Sequence, residues 1–315
     1  MTAVLSPVAP ASPFDLGDDL AYRVWRTWKL AHQALRVDDL LVEVADPMAL
    51  TPDERCALLA RCARCNMALY QGPAQAADTA VTRALGRQLG LQRLDANWLA
   101  DEDGVSHIAV SSGSDGAGGF IPYTDRAIRW HTDGYYHPGA RRIEGMVLHC
   151  VRPAAEGGAT ALLDHELAYI ALRDADPAFV RALAADDAMT IPERADAQGV
   201  ARAAQTGPVF STSANGASLH MRYTARTRSI EWKADEATRA AVDFLARWLD
   251  SDHAPVLRLR LAAGMGLVSN NVLHDRAAFV DDPARPRLLY RARYLDRVSG
   301  AAATKPQETA PCRAG

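Results

Sequence analysis

The chain has 315 residues, of which 49% are hydrophobic and 23% are charged, and its formal net charge is -3. These values are typical of a globular protein with a large core, and they exclude the basic excess that attracts nucleic acid or a membrane surface. No run approaches the roughly 18 apolar residues of a membrane span, and the opening residues lack the basic and apolar stretches of a signal peptide. We therefore expect a cytoplasmic protein that binds neither nucleic acid nor a membrane, with a homo-oligomer as an open alternative.

The two ends of the chain differ in composition from the rest. Residues 1–13 and 299–315 are rich in Ala, Pro, Ser and Thr, and such segments have too little apolar surface to fold, so we predict that both are disordered. Between them we predict one domain over 14–298, with a helical part over about 14–105 and a β-rich core over about 106–298. Periodic apolar residues predict helices at about 52–69, 76–89, 164–175 and 234–250.

The first predicted helix contains the chain's CxxC motif, formed by Cys62 and Cys65. A structural zinc cluster that also uses Cys56 is one alternative. However, a lone CxxC is weak evidence for zinc, and the odd total of five cysteines argues for reduced thiols. The stretch that begins at Thr51 has the form of a capping box with proline at the first helical position. Thiols on a helix are therefore the favoured interpretation.

The second half of the chain is rich in strand signals. Short runs of Val, Leu and Tyr alternate with polar residues between Gly, Pro and Asp turns, which is typical of an antiparallel sandwich or barrel. These runs lie at 142–151, 217–224, 256–261, 266–271 and 287–295. No phosphate-binding glycine motif points to a doubly wound sheet. The fold class predicted is α+β, with a double-stranded β-helix (a distorted jelly roll) as the core and with flanking helices and insertions.

Three residues could form a metal site. In the stretch IRWHTDGYYHPG, His131 and Asp133 are alternate residues of an extended segment, so their side chains share one face. His274, in SNNVLHDRAAF, can supply a third ligand. Two imidazoles and one carboxylate form the facial triad of non-haem Fe(II) oxygenases. The HxD pattern alone is common, and a hydrogen-bonded turn remains the alternative at this point.

Further motifs resemble those of a known family, the TauD/TfdA branch of Fe(II)- and 2-oxoglutarate-dependent dioxygenases. WHTD at 130–133 resembles the first metal motif, GGAT at 157–160 the GGxT element, and LHDRAAF at 273–279 the distal-histidine motif. RPRLLYRARY at 285–294 resembles the arginine strand that follows. The resemblance covers roughly residues 120–297. One departure is that SNN precedes VLH here, where many members have Asp-Asn before the distal histidine.

The resemblance implies a role for each matched residue. His131, Asp133 and His274 would bind Fe(II), Thr160 would hydrogen-bond a carboxylate of 2-oxoglutarate, and Arg287 would pair with its C5 carboxylate. Arg291 would bind near the metal-proximal end of the co-substrate or a substrate anion. A guanidinium suits this task because it clamps a carboxylate with two parallel hydrogen bonds.

Other residues are candidates for contact with the prime substrate. Tyr135, Tyr136 and His137 directly follow the metal motif and are equally well explained as packing or turn residues. Arg222, Arg226 and Arg228 are candidates for recognising an anion, against the alternative of surface or structural pairing.

The implied reaction consumes O2 and 2-oxoglutarate, releases succinate and CO2, and hydroxylates a small, anionic metabolite. If the hydroxylated carbon bears a heteroatom, the product can fragment by C–S, C–O or C–N cleavage. Two other classes remain open: a non-catalytic jelly-roll protein that binds or senses a metabolite, and a cupin-like metal enzyme that does not use 2-oxoglutarate.

Overall fold

A computed structural model describes residues 12–74, 78–95, 103–111, 120–196, 199–226 and 230–298. The predicted disorder of 299–315, that of 1–13 apart from residues 12 and 13, and the prediction for Arg228 fall outside these ranges. The helices of the described residues are α1 (Asp19–Ala31), α2 (Pro52–Cys65), α3 (Ala80–Gln88), α4 (His165–Ala175), α5 (Pro177–Leu183) and α6 (Glu236–Leu249). None of these helices is both long and apolar enough to cross a membrane.

The strands are short. They are β1 (Leu41–Glu43), β2 (Met67–Gln71), β3 (Ser106–Ile108), β4 (Ile128–His131), β5 (Gly145–Arg152), β6 (Glu156–Gly157), β7 (Thr160–Leu163), β8 (Met189–Ile191), β9 (Arg194–Asp196), β10 (Gly199–Arg202), β11 (Gln205–Gly207), β12 (Phe210–Thr212), β13 (Leu219–Met221), β14 (Glu231–Trp232), β15 (Leu257–Leu259), β16 (Met265–Ser269), β17 (Leu273–Arg276), β18 (Phe279–Val280) and β19 (Leu288–Tyr294). Each of the five predicted strand runs overlaps one strand, and that strand is shorter than predicted in every case.

The helix predicted over 52–69 is too long at its C-terminal end. Thr51 caps α2 through the predicted capping box, and the helix ends at Asn66, whose φ of 57° is left-handed. Asparagine tolerates this conformation better than most residues, so it can stop a helix as glycine does. Residues 67–69 belong to β2, which reads as one apolar run because both of its faces are buried.

Two sheets dominate the described structure. One has six strands in the order β1-β2-β16-β5-β19-β3, and the other has four in the order β15-β7-β17-β4. The sequence predicts that a helical part ends and the β-rich core begins near residue 105. However, β1 and β2 precede residue 105 and belong to the larger sheet, so the sheet extends across that predicted boundary.

Side chains that alternate along the strands sort into three cores. Leu162 of β7 packs with Leu69, Met146 and Leu289 of the larger sheet, so this core lies between the sheets. Ala161 and Leu163, the neighbours of Leu162 in the chain, point to the other face of the sheet. There they join a core that includes residues of α1, α4, α5 and α6. The opposite face of the larger sheet packs against α2 and α3. Residues of both sheets that face the space between them are therefore the ones that can share a site.

A buried ion cluster lies where α1 meets α4. The Lys29 ammonium group is 2.6 Å from a carboxylate oxygen of Asp164 and also pairs with Glu166, and the side chain of Lys29 is fully buried. Asp164 in addition caps α4 by accepting the Glu166 N–H. Opposite charges compensate one another here, which is the usual condition for burying them.

Candidate functional site

The three predicted metal ligands come together between the sheets. His131 ends β4 and pairs directly with His274 of β17 in the antiparallel ladder, and the two imidazole rings are 4.2 Å apart between centroids. One potential ligand atom from each of His131, Asp133 and His274 lies within 4.8 Å of the other two. Among the described residues, this is the only group of three or more His, Cys, Asp or Glu side chains with such spacing.

The main chain orients both imidazoles. Nδ1 of His131 is 2.9 Å from the carbonyl oxygen of Arg129, and Nδ1 of His274 is 2.9 Å from that of Val272. A carbonyl only accepts hydrogen bonds, so each Nδ1 must carry the proton and each Nε2 is left as a lone-pair donor. This is the arrangement in which histidine binds a metal in proteins. Burial and the neighbouring His274 lower the pKa of His131 to about 3, which keeps its ring neutral.

The carboxylate of Asp133 completes the donor set. Its Oδ1 accepts a hydrogen bond from Nη1 of Arg291 at 3.2 Å, while its Oδ2 is buried without a partner among the described residues. Burial would raise the pKa of Asp133, but the guanidinium groups of Arg291 and Arg293 hold that pKa well below its ordinary value. A buried, ionised oxygen without a partner is costly, and a bound cation would compensate it. The residues present therefore fit a divalent metal ion.

A cleft lies between the two sheets at the start of β7. Thr160, which opens β7, and Arg287, which precedes β19, line it together with Cys150, Arg260 and Leu289. Thr160 pairs with Arg276 in the ladder, two residues beyond His274 on the same strand. The cleft is thus about 7 Å along the strand from a metal ligand, at roughly 3.3 Å per residue.

Arg287 is a cation in this cleft whose guanidinium has no hydrogen-bond or ion-pair partner among the described residues. The residue is only 5% exposed, its guanidinium lies 4.9 Å from the ring centre of Phe279, and no hydrogen bond joins that guanidinium to a described residue. Burial lowers its pKa, although nearby Cys150 and Asp281 oppose this. Because a desolvated charge without a partner is unfavourable, the cleft is complementary to an anion.

The arginine strand has the alternation predicted for it. Leu289 belongs to the core between the sheets, whereas Tyr290, Ala292 and Tyr294 belong to the core on the opposite face. Arg291 and Arg293 therefore share the inner face with Leu289. Arg287 and Arg291 are four residues apart, or about 13 Å, so they can serve opposite ends of one site.

Comparison with known proteins identifies the family. The family model described as "Taurine catabolism dioxygenase TauD, TfdA family" matches residues 38–293. The chain belongs to this family.

Individual relatives agree with the TauD/TfdA assignment. A uridine-5'-phosphate dioxygenase of Streptomyces sp is 34% identical over 239 residues, which cover 71% of this chain and 84% of the relative. One from Amycolatopsis sp is 36% identical over 172 residues, 53% of this chain and 60% of the relative. An asparagine oxygenase crystallised with Fe(II), 3-hydroxyasparagine and succinate has a similar fold, with a TM-score of 0.56 at 15% identity over 92% of this chain and 87% of that one. The protein is an Fe(II)- and 2-oxoglutarate-dependent dioxygenase.

In this TauD/TfdA chain, the predicted substrate residues Arg222 and Arg226 have different surroundings. Arg222 is committed to the main chain: its guanidinium donates to the carbonyls of Tyr135 at 2.7 Å, Gln205 at 2.7 Å and Met189 at 3.0 Å, with a longer bond to Gly207. These bonds indicate a structural role. Arg226, in contrast, is exposed, and its Nη1 is 3.4 Å from the hydroxyl of Tyr135. Arg226 lies two residues beyond Thr224, which forms a bridge with His131.

A second polar cluster fixes the loop after the metal motif. Asp95, whose side chain is fully buried, pairs with Arg293 at 2.6 Å and with Arg141 at 2.7 Å. Arg293 also donates to the Tyr136 hydroxyl at 2.8 Å, and Nδ1 of His137 is 3.1 Å from the Arg141 carbonyl. Tyr136 thus ties the loop to β19 through Arg293, while His137 bonds within the loop. Sequence reasoning missed Asp95, for which no local signal exists, and Arg293, which the RAR spacing could have revealed.

The CxxC cysteines are buried thiols. Cys62 donates to the carbonyl of Val268 at 3.9 Å and Cys65 to that of His32 at 3.5 Å. Burial raises the pKa of both thiols. Both cysteines lie on helix α2, and their thiols point to different carbonyls.

Proposed function

We propose that His131, Asp133 and His274 bind Fe(II), that Thr160 and Arg287 bind 2-oxoglutarate, and that the enzyme oxidises a small anionic metabolite. The observation that carries the proposal is the metal-ligand cluster, with donor atoms within 4.8 Å of one another, next to a cleft that contains Arg287, a buried arginine whose guanidinium bonds to no residue in the described ranges. We also interpret the two facing sheets as the distorted jelly roll predicted from the sequence, within one domain over 14–298.

Each residue named in this proposal has a defined task. When bound, Fe(II) and 2-oxoglutarate supply the oxidation: O2 is consumed, 2-oxoglutarate loses CO2 to become succinate, and one oxygen atom enters a C–H bond of the substrate. The two imidazoles present neutral Nε2 atoms, and Asp133 contributes a carboxylate. Arg287 would form a charged, two-pronged pair with the C5 carboxylate, to which the Thr160 hydroxyl would donate a further hydrogen bond. Arg291, which contacts Asp133, would bind the metal-proximal end of 2-oxoglutarate or a substrate anion.

Charge and the relatives support a substrate class. The net charge of the chain is -3, yet Arg226 is exposed and lies two residues beyond Thr224, which bridges His131. Because Arg287 is assigned to 2-oxoglutarate and Arg291 contacts Asp133, Arg226 is the cation that we assign to attracting an anionic substrate. The curated relatives are named uridine-5'-phosphate dioxygenases. We therefore propose a phosphate-bearing metabolite of nucleotide size as the prime substrate, with Arg226 and Tyr135 at its binding site.

Hydroxylation of a phosphate ester has a defined chemical outcome. If the carbon that bears the ester oxygen is hydroxylated, the product is a hemiacetal phosphate. Its hydroxyl proton leaves as the C=O bond forms, and the C–O bond to phosphate breaks. The net products are an aldehyde and inorganic phosphate, so C–O cleavage would accompany the oxidation.

Succinate release measured over a panel of compounds tests this proposal. The purified protein with Fe(II), 2-oxoglutarate and O2 should form succinate faster with uridine 5'-monophosphate than with uridine, and should release one phosphate per succinate. Stimulation by uridine or taurine but by no phosphate ester would refute the substrate class. Complete absence of succinate would favour a binding protein, and turnover without 2-oxoglutarate would favour the cupin-like alternative.

A further inference from the structure

Asn271 lies in the tight turn that joins β16 to β17. The residue is 1% exposed and has a left-handed φ of 53°. Asparagine is among the few residues besides glycine that adopt this conformation readily. Its side chain points back to the segment that follows β4, 138 residues earlier in the chain.

The Asn271 carboxamide makes three hydrogen bonds there. Its Oδ1 accepts the N–H of Asp133 at 2.7 Å. Its Nδ2 donates to the carbonyl of Asp133 at 2.9 Å and to that of Ile143 at 2.7 Å. One side chain thus satisfies both main-chain polar groups of Asp133.

The three metal ligands are held in different ways. His131 and His274 are cross-strand partners, so the ladder fixes their separation. Asp133 lies beyond the end of β4. The preceding residue, Thr132, is still held by Tyr223, but among the described residues only Asn271 bonds to the peptide groups of Asp133. A carboxylate on a short side chain follows its main chain, so the direction in which Asp133 points depends on this contact.

We propose that Asn271 is a positioning residue that sets the metal affinity of the site by fixing the main chain of Asp133 relative to His274. The turn that Asn271 occupies leads directly into His274, three residues later. The same side chain therefore ties two ligand-bearing segments together. Groups that orient ligands in this way commonly change metal affinity by 10–100-fold when they are removed. This proposal rests on the proposed function of the site.

Asn66 provides a matched control. It is also a buried asparagine with a left-handed φ, 57°, and its carboxamide bonds to Asp164 at 2.9 Å, to Asn270 at 3.2 Å and to Arg297. Its bond to Asn270 reaches the turn before β17, but none of these side-chain bonds reaches Asp133 or the segment that follows β4. Glycine at either position keeps the backbone conformation and removes only the side chain.

The test compares Asn271→Gly with Asn66→Gly by anaerobic Fe(II) titration and by thermal unfolding of the metal-free proteins. Both variants should unfold at lower temperature, but only Asn271→Gly should raise the Fe(II) dissociation constant, by about 10-fold or more. The proposal is overturned if Asn271→Gly binds Fe(II) within about 3-fold of wild type, or if Asn66→Gly weakens binding equally.

Two further outcomes are distinguishable. If the wild-type protein itself fails to bind Fe(II), the proposed metal site is wrong, and the positioning proposal falls with it. If Asn271→Gly does not fold, Asn271→Ser retains a small polar side chain that is too short to reach both Asp133 groups. The Fe(II) dissociation constant of Asn271→Ser should then rise about 10-fold, and an unchanged constant would overturn the positioning role.

Discussion

Replacing Arg287 with methionine tests whether the positive charge of this side chain binds 2-oxoglutarate. Methionine keeps an apolar side chain of similar length against Phe279 but cannot pair with a carboxylate. A charged hydrogen-bonded pair contributes about 1.5–3 kcal/mol. At about 1.4 kcal/mol per factor of ten, the dissociation constant for 2-oxoglutarate should rise roughly 10- to 150-fold. Equilibrium titration with Fe(II) and 2-oxoglutarate without O2 measures this directly.

Arg276 is the matched control for this substitution. It is 6% exposed, and its guanidinium also lies 4.9 Å from the ring centre of Phe279. However, its donors are occupied by the carbonyls of Pro122 at 3.1 Å and Thr124 at 2.6 Å, among others. Arg276→Met should therefore lower the free energy of unfolding by about 1–3 kcal/mol for each carbonyl left unpaired, and should affect 2-oxoglutarate affinity much less. Arg287→Met breaks no hydrogen bond to a described residue and should leave thermal stability nearly unchanged. Unaltered co-substrate affinity in Arg287→Met would refute the assignment.

Three other substitutions test separate parts of the structure. Lys29→Met removes the ammonium group that pairs with two buried carboxylates and should cost about 3–5 kcal/mol of unfolding free energy in denaturant titrations; a loss below about 1 kcal/mol would contradict the buried ion cluster. Burial lowers the pKa of His149 to about 4, whereas an unfolded histidine titrates near 6.5. The unfolded state therefore binds more protons between these values, and stability should fall as the pH drops through that window, by up to about 1.4 kcal/mol per pH unit for this group. The pH dependence of unfolding should be flatter in His149→Gln, and equal slopes would count against the shift. Arg226→Ala should raise KM for a phosphate-bearing substrate several-fold, whereas Arg222→Met should mainly lower the thermal stability; the reverse pattern would show that Arg222 contacts the substrate.

Local sequence signals account for much of the site. The HTD, GGAT and arginine-strand motifs are each short and continuous in the sequence. The two-residue period of a strand places Arg287 and Arg291 on one face. The structure brings His274 opposite His131 across 143 residues because their strands pair, an arrangement that the family resemblance indicated and the spacing alone did not.

The contacts that support the site were not predictable from local patterns. Asn271 reaches Asp133 across 138 residues, and Asp95 reaches Arg293 across 198. Such partners depend on how the sheets assemble, and a lone Asn or Asp carries no periodic signal. The end of α2 was missed for a related reason. CARCNMALY continues an apolar pattern, and only the left-handed Asn66 and the two sheet partners of β2 distinguish the strand from a longer helix.

The charge-transfer absorbance of the anaerobic complex tests the metal and co-substrate site most directly. Fe(II) and 2-oxoglutarate added together to the wild-type protein should produce a metal-to-ligand band that neither produces alone. Asp133→Ala should abolish that band, and Arg287→Met should require roughly 10- to 150-fold more 2-oxoglutarate to reach it. A wild-type protein that shows no band, or an Asp133→Ala protein that keeps it at full strength, would contradict the proposed site.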